Sequence, residues 1–519
     1  MKKVRALLIC LVLLLCAVIL CSCQDEGGET TTAPSTTTRP GGVTDKWTDK
    51  DFGATTLKLQ LSEYTDSEFT SGGKKYMQGP DNSSSDRVQN IVYTRNENAK
   101  SELNLNVSYY YINKGWSLAS AEIINTESGG SDCPDMYCDM IYDMMIATMQ
   151  GCFRNLYTLT TASGKGNFEF TDENGFLCDF MEGLSMSRDK MYLIGSRYYM
   201  DIVRAMMVMP VNIDMYESKY GDISEFYQDI IDGEWTWDYL MKVAKTVYND
   251  KTGDGTSMDD ILGFVAETNG GMGASGIMYS TALEIVDTEV LSDGSYAFSY
   301  KSDNPQLIAI FTKIAEAFSQ DGILACQSTG DQVGAIRDKF ASGTLVFGGC
   351  IMMGSVEAET YQAMDQSFGL IPIPKISNDN NFQYNTLIHN VGKCGAISLH
   401  TQRPEAISAY IQYCTENSAE LMNEYYNYAM KYKYTSDAGT AEMLDMIYDN
   451  IVSIREKALE DIIGAQNAEA GTYKWHSQLI SDAKDFKTNA DQIGTVYTTA
   501  IQIKQAVLEN LRETWKSLP

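Results

Sequence analysis

Thr56-Leu57-Lys58-Leu59-Gln60-Leu61 alternates polar and apolar residues, which is the pattern of a strand with one buried face. A polar loop, Ser62 to Asn82, follows it. From Arg87 to Leu103 the period lengthens. Val88, Ile91, Val92, Ala99 and Leu103 fall on roughly one face, which predicts an amphipathic helix. Leu105 to Tyr109 reads as a second strand, Pro134 to Ile141 as a third, and a helix is expected around Ala147 to Cys152. Strand, helix, strand, helix is the rhythm of an α/β sheet. Further on, Thr236 is placed to cap a helix running to Val247, with Asp238 in its first turn. Leu345-Val346-Phe347 and Phe368 to Ile371 are short apolar strands, and Pro372 and Pro374 then interrupt the chain. From Pro404 the pattern is mostly helical, ending in Ile501 to Lys516.

The N-terminal apolar run, about Ala6 to Ile19, is of another kind. Lys2, Lys3 and Arg5 precede it and Leu20-Cys21-Ser22-Cys23 follows it. It is too short and too rich in cysteine for an ordinary membrane span. The segment resembles a bacterial lipoprotein signal, in which the cysteine of a Leu-x-small-Cys box is lipidated and the chain is cut just before it. By that resemblance residues 1–22 are a signal peptide and Cys23 carries the lipid. A plain cleaved signal or a membrane helix is the alternative. Residues 23–53, with Thr30-Thr31-Thr32, Thr36-Thr37-Thr38, Pro34 and Pro40, cannot offset their chain entropy by packing and read as a flexible tether.

About 470 residues remain of the 519, too many for one small core, so two lobes are expected. The net charge of −29 argues against nucleic-acid partners, although a solvated acidic surface accounts for most of it. Eight body cysteines form no CxxC pair, which argues against a zinc site. They read equally as disulfide partners in an exported protein or as small core residues in apolar runs.

Several segments carry a resemblance. They are Val92-Tyr93-Thr94-Arg95-Asn96 with Leu103-Asn104, Gly233-Glu234-Trp235-Thr236-Trp237-Asp238, Asp250 to Phe264, Phe340 to Phe347, Phe368 to Lys375 and Glu442 to Asp445. In this order they resemble the family 1 extracellular solute-binding proteins of carbohydrate ABC importers. The resemblance implies an α/β fold of the type II periplasmic-binding-protein kind, with two lobes and a hinge. Lobe one would be 54–193 with 385–432, and lobe two 194–384 with 433–519. Hinges are expected near Tyr192–Ser196 and at residues 374–383. It also implies a monomer that captures a small molecule, an oligosaccharide, and delivers it to ABC permease subunits. The place would be the outer face of a Gram-positive-like cell membrane, with no cofactor required.

Cleft residues in such folds sit at the carboxyl ends of strands, where rings can stack on sugar faces and polar groups can bond their edges. That places Glu63, Tyr64, Asp139, Tyr142, Asn269, Met353 and Ser355 as ligand candidates, with Asp201 and Arg204 just past the first crossing. The maltose branch carries a tryptophan where Met353 and Ser355 stand, so stacking is not expected there. In a chain of 32 tyrosines and 69 acidic residues, the bland alternative for each candidate is surface or packing. Trp235 and Trp237, and the tyrosines from Tyr425 to Tyr434, read as packing residues.

Asp250, Thr252 and Asp254, with Gly255 at position six, match the start of a calcium loop, and Thr256, Asp259 and Asp260 extend the oxygen set. Ile261 stands where a bidentate glutamate belongs, so a structural Ca²⁺ and a metal-free turn both remain open. His389, His400 and His476 fall in no catalytic motif, and the chain is read as a non-enzyme. Its rivals are a sensor or adhesion lipoprotein, and a surface glycosidase using two carboxylates about 5–9 Å apart.

Overall fold

The computed structural model describes residues 46–65, 69–115, 117–268, 272–281, 283–301, 305–326, 331–379, 382–435, 437, 439–467 and 490–519. The signal segment, Cys23, most of the tether, Asn269 and His476 lie outside the described residues.

Along the chain the strands are β1 (Thr55–Ser62), β2 (Leu105–Ile112), β3 (Met136–Met140), β4 (Leu193–Ile194), β5 (Met207–Asn212) and β6 (Leu262–Ala266). They continue with β7 (Val286–Val290), β8 (Tyr296–Tyr300), β9 (Ile323–Ala325), β10 (Leu345–Phe347), β11 (Ile351–Met352), β12 (Phe368–Ile371) and β13 (Lys393–Ile397). The helices that matter below are α1 (Arg87–Glu102), α2 (Ile141–Met149), α3 (Met200–Arg204), α4 (Trp237–Val247), α5 (Pro404–Glu416), α6 (Thr440–Asp449), α7 (Arg455–Gln466) and α8 (Ala490–Ser517).

Two sheets organise them. The first runs β2-β1-β3-β13-β4, with β1 parallel to β2 and β3, and β13 antiparallel to β3 and β4. The second runs β11-β5-β10-β6-β9, with β12 on the other side of β5. The core strands β3, β5, β6, β10 and β12 are buried at every position, as strands covered on both faces must be. Residues Trp47–Pro519 form one compact unit. α6 packs on β12 of the second sheet, whereas α7 packs on α2 beside the first.

The chain passes between the sheets four times, at 205–207, at 386–389, between α5 and α6, and at 450–452, and three of these passages lie side by side. Met207 N–H donates to Leu387 O (2.8 Å) and His389 N–H to Ala205 O (2.9 Å). Thr386 N–H donates to Asn450 O (2.8 Å) and Val452 N–H to Thr386 O (3.0 Å). Residues 192–196, expected to be a hinge, instead contribute β4 to the first sheet, where Ile194 pairs with Gly395. The crossing lies about ten residues further on.

Local rules explain most elements. Asp86 caps α1 through Gln89 N–H (3.0 Å), and Thr236 caps α4 through Tyr239 N–H (3.2 Å). The helix expected at Ala147–Cys152 begins earlier, at Ile141, directly on the end of β3. The apolar stretch through Met149 serves there as a buried helix, and Asp143 in its first turn accepts from Ser120 N–H (2.8 Å). Trp235 and Trp237 are fully buried. Trp235 Nε1 donates to Pro372 O (2.8 Å) and its ring lies 5.0 Å from Phe347, while Trp237 sits edge-on to Phe264. They anchor α4 to the second sheet, each worth about 5 kcal/mol of gross apolar burial. The eight body cysteines are free thiols and all but Cys178 are buried.

Candidate functional site

The stretch from Phe69 to Gln78, expected to be a polar loop, is largely a buried strap across the carboxyl end of β1. Phe69, Gly72, Gly73, Tyr76 and Met77 are buried. Ser71 Oγ donates to Ser62 O (2.6 Å). From α1, Arg95 donates to Tyr76 O (3.0 Å) and Asn96 to Met77 O and Gln78 O (both 2.8 Å), so this Arg-Asn pair pins the strap's backbone.

α3 holds the strap's other side. Asp201 accepts Gly72 N–H on both oxygens (3.0 and 2.8 Å). A Cβ on Gly72 would stand 2.3 Å from that carboxylate, so only glycine permits the approach. Arg204, one turn on, pairs with Asp201 and donates to Thr70 O (3.0 Å). Its guanidinium lies 4.7 Å from the Phe69 ring centre and 5.2 Å from that of Tyr76.

The second sheet reaches this point through Glu357, which ends the turn after β11. Its carboxylate accepts from Arg204 Nε (2.8 Å), Lys75 Nζ (2.8 Å), Tyr76 OH (3.2 Å) and Tyr425 OH (2.8 Å). Four donors from three parts of the chain therefore meet on one side chain. Burial alone would raise the Glu357 carboxyl, but Arg204 and Lys75 outweigh it and bring it down to about 2.

Beside this clasp lies Lys393, at the start of β13, and Asp139 on the neighbouring β3 pairs with Cys394 and acts on the lysine's charge through space. Burial pushes Asp139 up to about 7 even though Met140 N–H (2.8 Å) and the Lys393 charge hold it down.

The candidates named from sequence divide accordingly. Asp201 and Arg204 converge, Asp139 lies on β3 opposite Cys394, and the turn carrying Met353 and Ser355 touches Arg204 through Gly354, where a Cβ would lie 3.0 Å from the Arg204 Cβ. Ser355 is fully buried and its hydroxyl has no hydrogen-bond partner. Glu63 stands at the rim in an ion pair with Lys74. Tyr64 and Tyr142 are half-buried and take no part in the clasp. Glu357, Lys75, Tyr76, Tyr425 and Lys393 were not anticipated. Only Lys393 carries a sequence signal, as a lone lysine in the apolar run Val391 to Ile397.

In the 250–260 loop, carboxylate oxygens of Asp250, Asp254 and Asp260 come within 4.8 Å of one another. Asp250 also accepts the amides of Thr252 (3.1 Å), Gly253 (2.5 Å) and Gly255 (3.2 Å). Asp260 accepts those of Lys251 and Ser257 (2.8 Å each), which outweigh its burial and lower its pKa. Thr252 bonds Asp254. Thr256 instead accepts Gly322 N–H (3.3 Å), and Asp259 is exposed outside the cluster.

No protein-family model and no curated protein matches the chain. Solved structures do. A cyclo/maltodextrin-binding protein complexed with maltotetraose superposes with TM-score 0.53 at 13% identity, over 86% of this chain and 96% of that one. The cyclic α-maltosyl-1,6-maltose binding protein of Arthrobacter globiformis gives 0.54 at 12%, over 88% and 100%. The maltose-binding periplasmic protein MalE of Listeria monocytogenes, in complex with maltose, gives 0.53 at 12%, over 88% and 98%. The fold is thus the two-lobed type II periplasmic-binding-protein fold. The three neighbours are sugar-binding proteins by name. No helix among the described residues is long and apolar enough to cross a membrane.

Proposed function

We propose that this chain is the solute-binding component of a carbohydrate ABC importer, capturing an oligosaccharide between its lobes and performing no chemistry on it. The observation that carries this reading is the match of nearly the whole body to three sugar-binding proteins. The convergence of Asp201 and Arg204 where strap, crossing and second sheet meet supports it. Permease subunits in the membrane are its partners, and it works as a monomer. Lipid on Cys23 holds it to the outer face of that membrane, where one acyl chain alone binds marginally and two or more anchor stably.

A thermal-shift screen over neutral oligosaccharides, amino acids and peptides tests the reading. At a hundredfold excess over Kd, a ligand that binds only the folded state adds about 2.7 kcal/mol, so an oligosaccharide raises the melting temperature by several degrees. Peptides shifting it while sugars do not would make the carbohydrate assignment wrong.

Calcium belongs to the same proposal as a structural ion. Asp250, Asp254 and Asp260 would hold it, and relief of their mutual repulsion is what it would supply. Titrating Ca²⁺ into chelator-treated protein should release or absorb heat, and Asp254→Ala should abolish the signal. A flat titration ends the calcium reading.

A further inference from the structure

Under the strap lies a cavity of about 10 Å³, lined by Ser62, Gly72, Tyr76, Cys138, Asp201 and Lys393. That is the room of about one water. Lys393 is its unusual member. The residue is 2% exposed, pairs with Met140 on the neighbouring β3, and its ammonium makes no hydrogen bond among the described residues. An ammonium offers three donors and no acceptor. The Phe69 ring centre lies 4.6 Å from Nζ, and Asp201 and Asp139 act on the charge through space. Burial lowers the pKa of this lysine, so the fold works against the charge it encloses.

A buried cation with idle donors lowers stability, and sites that break the packing rules in this way are where function is kept. The surroundings restrict what could use those donors. A carboxylate ligand would face Asp201. A cationic ligand would face Lys393 and Arg204. A hydroxyl satisfies both sides, because it accepts from the ammonium and donates to a carboxylate. Tyr76 and Tyr199 are also on the wall. The room admits one such polar group at a time rather than a whole ring.

We propose that Lys393 and Asp201 form the polar floor of the ligand site and take a hydroxyl of a neutral sugar. This rests on the solute-binding reading above and narrows it to uncharged glycans.

The test uses the full chain and its Lys393→Met and Lys393→Gln variants. Each is melted without ligand and titrated calorimetrically with a panel of neutral tetrasaccharides, maltotetraose among them, and with tetragalacturonate. The expected result is a Lys393→Met protein that melts at or above the wild-type temperature yet binds the neutral sugar at least tenfold more weakly. Lys393→Gln, which keeps N–H donors, should recover part of that loss. A Lys393→Met protein that melts several degrees lower shows a structural partner of the two aspartates and overturns the proposal whatever binds. Unchanged affinity in Lys393→Met overturns it too and leaves the solute-binding reading standing. Binding of tetragalacturonate alone overturns the neutral class. If no probe binds the wild type, both readings fall together.

Discussion

Glu357→Gln should cut the tie between the strap and the second sheet. The carboxylate is the one anion shared by Arg204, Lys75, Tyr76 and Tyr425, and its side chain is only 12% exposed. An amide keeps the shape but offers one acceptor oxygen where two were in use. It also leaves Arg204 with Asp201 as its remaining ion-pair partner. Removing one member of a buried pair costs about 3–5 kcal/mol. We therefore expect a clearly lower melting temperature, together with a larger radius of gyration in small-angle scattering without ligand. The pH dependence follows with a definite sign. The folded carboxyl, at about 2, lies below its ordinary 4.5, so its contribution is present above pH 4.5 and is lost as pH falls from there toward 2. The span corresponds to about 3 kcal/mol. The variant should lose that acid limb. Melting and scattering both indistinguishable from wild type would show that Glu357 clasps nothing.

Asp139→Asn should do the opposite, and only at higher pH. Asp139 is 2% exposed, and burial lifts its folded carboxyl to about 7 from an ordinary 3.8. The folded state therefore holds a proton that the unfolded chain has released. Stability is unimpaired below pH 3.8 and declines as pH rises through 7, by up to about 4 kcal/mol. Asparagine is neutral throughout and can still accept the Met140 amide. In urea titrations the variant should match wild type near pH 4 and exceed it by a few kcal/mol at pH 8. A variant less stable than wild type at pH 8 would mean that the charged carboxylate is a net stabiliser.

The sequence was most legible where a local rule acts alone. Alternation gave β1 and β2, the longer period gave α1, and Thr236 marked the start of α4. Asp139, Asp201 and Arg204 were singled out from an expected strand end and an expected crossing, whereas Asp139 lies within β3 and the other two come just before the passage at 205–207. Tyr76 and Lys75 were missed because Ser62 to Asn82 has the composition of a solvated loop. What buries it is tertiary: Gly72 against Asp201, and Arg95 and Asn96 on its carbonyls. Arg95 and Asn96 were noticed as part of a motif, but their role, holding another segment's backbone, has no local signature. Glu357 was illegible for a similar reason, since its four donors come from residues 75, 76, 204 and 425. The cysteines resolved toward the small-apolar alternative because all eight are unpaired and all but Cys178 are buried.

The three adjacent passages between the sheets have a mechanical consequence. One polypeptide link would let two bodies swing, twist and slide. Here residues 205–207, 386–389 and 450–452 run abreast and are bonded to one another, so twisting or sliding would break main-chain hydrogen bonds while bending across all three need not. Such a joint resists shear more than it resists flexing, as a leaf spring does, and Glu357 sits where the two sides it carries come together.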